Sequence, residues 1–373
     1  MERWSGILKV LLHPDSTTFY RVAASLCLSP SSTSLTMPSA NAIFFNGDHV
    51  EGTGDPVIER LSDLQNIAEI LVSKFGSTVN AWVVDAPIFN GPFAVYKDFV
   101  PSINLNGEPK GYDATGFPAS SSIVSLLANS LREANNAILP GQEGPSQAEP
   151  STSLLHEPKT LLLGFSKGGV VLNQLLTEIS SVESEPVRTV KQSKQAMNNG
   201  GQTFWKENEF VFIPSSKEDF LNSITEIHYV DVGLNTEGAY LTNKEIMDKF
   251  SDHLARRAFG IRFLLHGTPR QWCDNRRIWI QKEKNELFRL LKSVAQRNMG
   301  KLKIRERLYF ANWPPSLQMH FEIIEKLDDL TGDYVIATVF DCTDNIAKVL
   351  RNSSEMMLCV SSELEKTPFV VLM

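Results

Sequence analysis

The sequence predicts an α/β protein: a mostly parallel central sheet of about eight strands with helices on both faces. Three observations predict it. Apolar runs of strand length recur along the chain, most are followed by a turn and a segment with apolar residues at three-to-four spacing, and no internal repeat divides the chain.

Residues 6–12 and 18–27, with alternating Val, Leu, Phe and Tyr, read as two antiparallel N-terminal strands. The same stretch carries Arg3, Lys9, Arg21 and many Ser and Thr, so a mitochondrial presequence is the second reading, although Glu2, Pro14 and Asp15 interrupt it. Residues 42–45 form a buried strand ending in Asn46-Gly47-Asp48, and 56–75 follow as a helix with Ile58, Leu61, Leu64, Ile67, Ile70 and Leu71 at three-to-four spacing. Residues 79–84 are the next strand. A Gly/Pro/aromatic loop, 88–118, leads into a helix at 121–138. Strand 160–163, helix 169–179, strands 224–230 and 261–265, helix 278–294, a last core strand at 307–310 and helix 321–327 complete the core. Beyond them lie a strand-like run at 334–340 and a helix near 344–351. The Pro/Gly/Ser-rich segment 139–158 and the polar segment 181–209 have little to bury and read as flexible insertions. The expectation is one domain over 1–373, with these two insertions and a C-terminal extension at about 330–373.

The 373 residues hold 36 Lys and Arg against 43 Asp and Glu, a net charge of −7. No chain-wide basic field exists to neutralise phosphates, so nucleic acid is not an expected partner. No apolar run approaches the ~20 residues of a membrane helix, so no membrane span is expected. Cys27, Cys273, Cys342 and Cys359 are far apart, without metal-ligand spacing, and read as reduced thiols of an intracellular protein. Neither a metal nor a cofactor is implied.

The sharpest motif is Gly164-Phe165-Ser166-Lys167-Gly168, between an apolar strand and an amphipathic helix. Gly-x-Ser-x-Gly in that context is the nucleophile elbow of an α/β hydrolase: the serine takes φ above zero, and the crowded turn needs tiny residues two before and two after it, here Gly164 and Gly168. An inert serine in a glycine-rich turn is the bland alternative, and the phosphate-loop pattern is absent. A serine needs a base and an orienting acid, which follow it in the chain in this fold. His228 and His266 lie in strands and His253 in a helical run, so each reads as structural, whereas His320 follows the last core strand just before a helix, where the base belongs. Asp274, after the penultimate strand, is the expected acid, and Asp231, at the end of the strand before, is the alternative. The backbone N–H of Lys167 and one from Gly47 or Asp48 are the expected oxyanion donors, with the Lys167 side chain facing solvent. Phe89, Phe93, Tyr96, Phe99, Tyr112 and Phe117 of the long loop either line an acyl-binding wall or pack the loop onto the domain.

At these residues the sequence resembles the homologues of the chromosome 2 open reading frame 69 protein, an uncharacterised eukaryotic family with an α/β-hydrolase-like fold. The resemblance rests on Phe44 to Asp48, on Gly164 to Leu176, on Tyr229-Val230-Asp231-Val232-Gly233, on His266-Gly267-Thr268-Pro269 with Asp274 beyond it, and on His320-Phe321. It implies candidate roles for Ser166, His320 and Asp274 or Asp231, and a mitochondrial address in place of a cytoplasmic one. Two functions are expected from these observations: a serine hydrolase (esterase, thioesterase or lipase-like) acting on a small-molecule or lipid-like acyl substrate, or an inactive hydrolase-fold scaffold that binds a protein partner.

Overall fold

The computed structural model describes residues 2–30, 34–139, 158–182 and 212–327. The insertions expected at 139–158 and 181–209, the extension 330–373 and its two elements lie outside the described residues, apart from Leu139, Pro158, Ser181 and Val182. The framework is an eight-stranded sheet of β1 (Glu2–Leu11), β2 (Phe19–Leu28), β3 (Ala40–Phe45), β4 (Val79–Asp85), β5 (Lys159–Phe165), β6 (Ile224–Val230), β7 (Ile261–Gly267) and β8 (Leu302–Leu308), in the order β1-β2-β4-β3-β5-β6-β7-β8. β2 is antiparallel to both neighbours and every other pairing is parallel. One antiparallel strand in second place is the arrangement of the α/β-hydrolase-like class.

β3 and β4 are buried at every position, as parallel strands covered on both faces must be. The edges read differently: β1 alternates exposed and buried residues, and the other edge, β8, is Leu302-Lys303-Ile304-Arg305-Glu306-Arg307-Leu308, whose charges blunt further pairing. That charge hid the strand, which the apolar pattern placed at 307–310 and which ends at Leu308. The stretch weighed as a presequence forms β1 and β2, joined by ten register pairs from Glu2–Leu28 to Leu11–Phe19.

The pleat divides the core. Ile43, Phe45 and Leu162 face one hydrophobic cluster, while Ala42, Phe44, Leu161, Leu163 and Phe165 face the other. α1 (Pro56–Ser62), α2 (Leu64–Phe75) and α9 (Leu317–Lys326) cover the second face. α3 (Pro118–Ile138), α4 (Gly169–Ser180), α5 (Lys217–Ser223), α6 (Lys244–Arg256), the single turn α7 (Pro269–Trp272) and α8 (Ile278–Arg297) contribute to the first. Phe117, the residue before α3, has no capping side chain; the buried Glu178 of α4 does that work, accepting the Ala119 and Ser120 N–H groups at 2.8 and 2.9 Å. Among the described cysteines, Cys27 is a buried free thiol and Cys273 is disulfide-bonded, which corrects the reading of Cys273 as reduced. No helix among the described residues is long and apolar enough to cross a membrane.

Candidate active site

The C-terminal ends of β3, β5 and β6 meet the start of α9, and the candidates Gly47, Asp48, Ser166, Asp231 and His320 collect there. β5 runs apolar into Gly164-Phe165 and stops at Ser166, whose φ of 49° puts a non-glycine residue in the left-handed region. A 3-10 turn, Ser166–Gly168, then feeds α4. The glycines are sterically required. A Cβ on Gly164 would lie 2.9 Å from the Gly168 carbonyl oxygen and the Gly169 Cα, and one on Gly168 would collide with the Phe45 carbonyl at the end of β3. Gly47 is held as closely, since a Cβ there would strike the Phe165 carbonyl oxygen and the Lys167 nitrogen. The loop after β3 therefore lies directly on the elbow backbone, the relation by which two loops can offer N–H groups to one oxyanion.

α9 begins at a defined point because Ser316 caps it, accepting the Met319 N–H at 3.2 Å. That start buries His320 with its ring against Phe165, the residue before Ser166, at a centroid separation of 4.6 Å. Asp231 ends β6 with a φ of 45°, accepts the Thr268 N–H and hydroxyl at 2.7 and 2.8 Å, and meets His320 Nδ1 through Oδ2 at 2.6 Å. His320 Nε2 lies 2.7 Å from Oδ2 of Asp48. Burial alone would push the imidazole down, but the hydrogen bonds and charges of Asp231 and Asp48 outweigh it and raise the pKa to about 9.

Asp274 is not brought to His320. It accepts the Arg276 N–H and the Arg277 Nε, both at 2.9 Å; burial raises its pKa, and these two arginines more than offset that and hold it below the ordinary value. The expected order of acids is thus reversed: Asp231, the alternative, touches the imidazole, because it ends its strand without an intervening loop, whereas Asp274 sits beyond α7 among arginines. The Lys167 side chain also departs from expectation. It is buried, donates from Nζ to the Asn106 carbonyl at 2.8 Å and lies over Phe93, and burial lowers its pKa. Lys167 thereby straps the long loop over the elbow, leaving Ser166 3% exposed.

The aromatic residues of that loop divide in the same way. Tyr96 and Phe99 are core residues packed on Phe45, with the Tyr96 hydroxyl donating to the Asn46 and Val84 carbonyls at 2.6 and 2.9 Å, while Phe89 and Phe93 remain part-exposed beside His49 and Lys167. Sequence reasoning missed the Asp48 carboxylate, of which only the N–H was considered, and Thr268, which fixes Asp231. Among the described residues, no group of three or more His, Cys, Asp and Glu could hold a metal.

Compared with known proteins, residues 125–296 match the C2orf69 family model. The chain is 26% identical over 297 residues to the mouse mitochondrial protein C2orf69 homolog, covering 70% of this chain and 69% of that one. The chain is similar to the C2orf69 proteins. Human mitochondrial protein C2orf69 is 24% identical over 330 residues, 77% of this chain and 74% of its own, and the zebrafish homolog is 23% identical over 266 residues, 70% of this chain and 64% of its own. The C2orf69 match includes Ser166 and Asp231 and stops short of His320, while Asp48 precedes it. Among solved structures, the BES protein from Bacillus cereus aligns over 87% of this chain and 95% of its own at 14% identity with a TM-score of 0.39. The siderophore hydrolase EstA from Aspergillus nidulans aligns over 86% and 94% at 12% identity, also with a TM-score of 0.39.

Proposed function

We propose that the chain is a serine hydrolase that cleaves an ester or thioester through an acyl-enzyme. The observation that carries this reading is the joint geometry of Ser166, strained at φ 49° on the elbow, and His320, fixed through Nδ1 by Asp231 and packed on the adjacent Phe165. Ser166 Oγ attacks the carbonyl and its proton passes to His320 Nε2, which returns it to the leaving oxygen or sulfur; water repeats the sequence to release the acid. Asp231 orients the imidazolium without itself taking the proton. The N–H groups of Lys167 and of Gly47 or Asp48 stabilise the oxyanion. The acyl group lies toward Phe89 and Phe93, the part-exposed rings of the loop, so the part of the acyl group remote from the scissile carbonyl is favoured to be apolar.

The second reading, a silent scaffold that binds a protein partner, is favoured by one observation: His320 Nε2 faces Asp48 rather than offering a lone pair. The mitochondrial names of the C2orf69 relatives support a mitochondrial location, which fractionation of cells expressing the tagged chain tests. Hydrolysis of p-nitrophenyl butyrate and octanoate by purified protein tests the enzyme reading. Turnover lost in Ser166→Ala and His320→Ala supports it, and turnover retained in both variants refutes it.

A further inference from the structure

His320 has two ring nitrogens, and both face carboxylates: Nδ1 lies 2.6 Å from Asp231 and Nε2 2.7 Å from Asp48. A carboxylate accepts and does not donate, so each nitrogen carries a proton in this arrangement and neither keeps the lone pair that would take the Ser166 proton. Asp231 and His320 are joined, yet the nitrogen that would serve as base is occupied by Asp48.

Asp48 is well placed for that task. Its backbone is held between the elbow and the long loop: it bridges Phe93 across a short antiparallel contact closed by His49 N–H to Pro92 at 2.7 Å and Ala94 N–H to Gly47 at 2.9 Å. The Asp48 side chain is 8% exposed, and Oδ1 is buried without a hydrogen-bond partner among the described residues. A buried carboxylate oxygen without a donor is costly, so the site is built to receive one. Thr268 donates to Asp231, and Lys167 donates to the Asn106 carbonyl, so neither of these neighbours serves Asp48 in the described hydrogen bonds.

We propose that Asp48 is the positioning residue of this site: it holds the base nitrogen of His320 in the substrate-free enzyme and releases it to a substrate whose acyl group carries a hydroxyl or ammonium beside the scissile carbonyl, which donates to the Asp48 carboxylate in the imidazole's place. The inference rests on the hydrolase reading and names its substrate class. In the exchange, the Nε2–H bond to Asp48 is replaced by the substrate donor, the imidazolium gives its Nε2 proton to solvent water, and the neutral ring then accepts the Ser166 proton. Asp231 from the end of β6 and Asp48 from the loop after β3 are the charged groups bonded to the ring, with the uncharged Phe165 of β5 packed against it at a tilt. The Lys167 ammonium on the elbow interacts with Asp48.

Two readouts test this on the full chain, with thermal unfolding confirming that Asp48→Asn and Asp48→Ala remain folded. The first is the titration of His320, followed by NMR of protein with 13C-labelled histidine and assigned with His320→Gln. The midpoint is expected on the alkaline side in the wild type and lower by at least about one pH unit in both Asp48 variants, a tenfold gain in neutral imidazole. The second is hydrolysis of p-nitrophenyl 3-hydroxybutyrate and the corresponding β-alanine ester against p-nitrophenyl butyrate at pH 7.5. The wild type is expected to favour one of the donor-bearing esters, and both variants are expected to lose that preference while cleaving butyrate about tenfold faster, in line with the freed base. Ester turnover with an unmoved midpoint, or with the same preference in wild type and variants, overturns the inference and leaves the hydrolase reading intact. A moved midpoint with no turnover of any ester overturns the hydrolase reading and, with it, the substrate class assigned here.

Discussion

Folding the chain should protonate His320, and stability should report it. The imidazole has a pKa of about 9 in the folded protein and about 6.5 in an unfolded chain. A gap of about 2.5 pH units corresponds to about 3 kcal/mol of stability. The sign follows from the direction: a histidine raised on folding contributes fully below its unfolded value, and the contribution is lost as pH rises through the folded one. Stability of the wild type relative to His320→Gln should therefore fall by about 3 kcal/mol between pH 6.5 and 9.5, or about 4 °C in Tm for a chain of this length. Using the difference removes opposing groups. His266, which burial and the nearby His228 and Arg307 push well down, and His253, which burial lowers to about 4, cost stability as pH falls below about 6.5 and do so equally in both proteins. Urea unfolding of the two proteins at half-unit pH steps provides the curve. Parallel lines across pH 6.5–9.5 would refute the reasoning, because they would mean that His320 is not an imidazolium held by two carboxylates.

Asp231→Asn should lower ester turnover by about 10²–10⁴-fold, while Asp274→Asn, which disturbs only the Arg276 and Arg277 contacts, should leave kcat/KM within about threefold and cost at most about 1 kcal/mol; kinetics on both variants checks the assignment. Ser166→Gly should abolish turnover yet keep or raise Tm, since glycine relieves about 1 kcal/mol of strain at φ 49°; calorimetry measures it. Glu178→Ala should destabilise by roughly 2 kcal/mol, because it strands two buried N–H groups at the start of α3, and denaturant midpoints will show it.

Much of this was legible in the sequence where the signal is local. The elbow was, because an apolar strand, two glycines at fixed offsets and a helix lie within about 20 residues, and steric demand permits little else. His320 was legible by its place after the last strand. Which aspartate it meets was not: Asp231 and Asp274 both follow strands, and only the folded chain shows Asp231 turning at φ 45° toward the ring. The Arg276-Arg277 pair beside Asp274 was a readable sign that its charge was already spoken for. Asp48 was beyond reach, because its partner is 272 residues away and no spacing rule links them. Tyr96 and Phe99 stayed open between wall and packing for a related reason: a loop has no period to separate rings that pack inward from rings that line a cleft. Lys167 follows the same logic, its solvent-facing expectation undone by a loop carbonyl 61 residues earlier.

The most direct test of the central claim is the site of covalent reaction with a fluorophosphonate, read by intact mass and peptide mapping of the folded protein between pH 6.5 and 9.5. The account predicts a single adduct on Ser166, formed faster as pH rises toward 9 and absent in Ser166→Ala and His320→Ala. A folded wild type that forms no adduct anywhere in that range, or forms it on another residue, would contradict it.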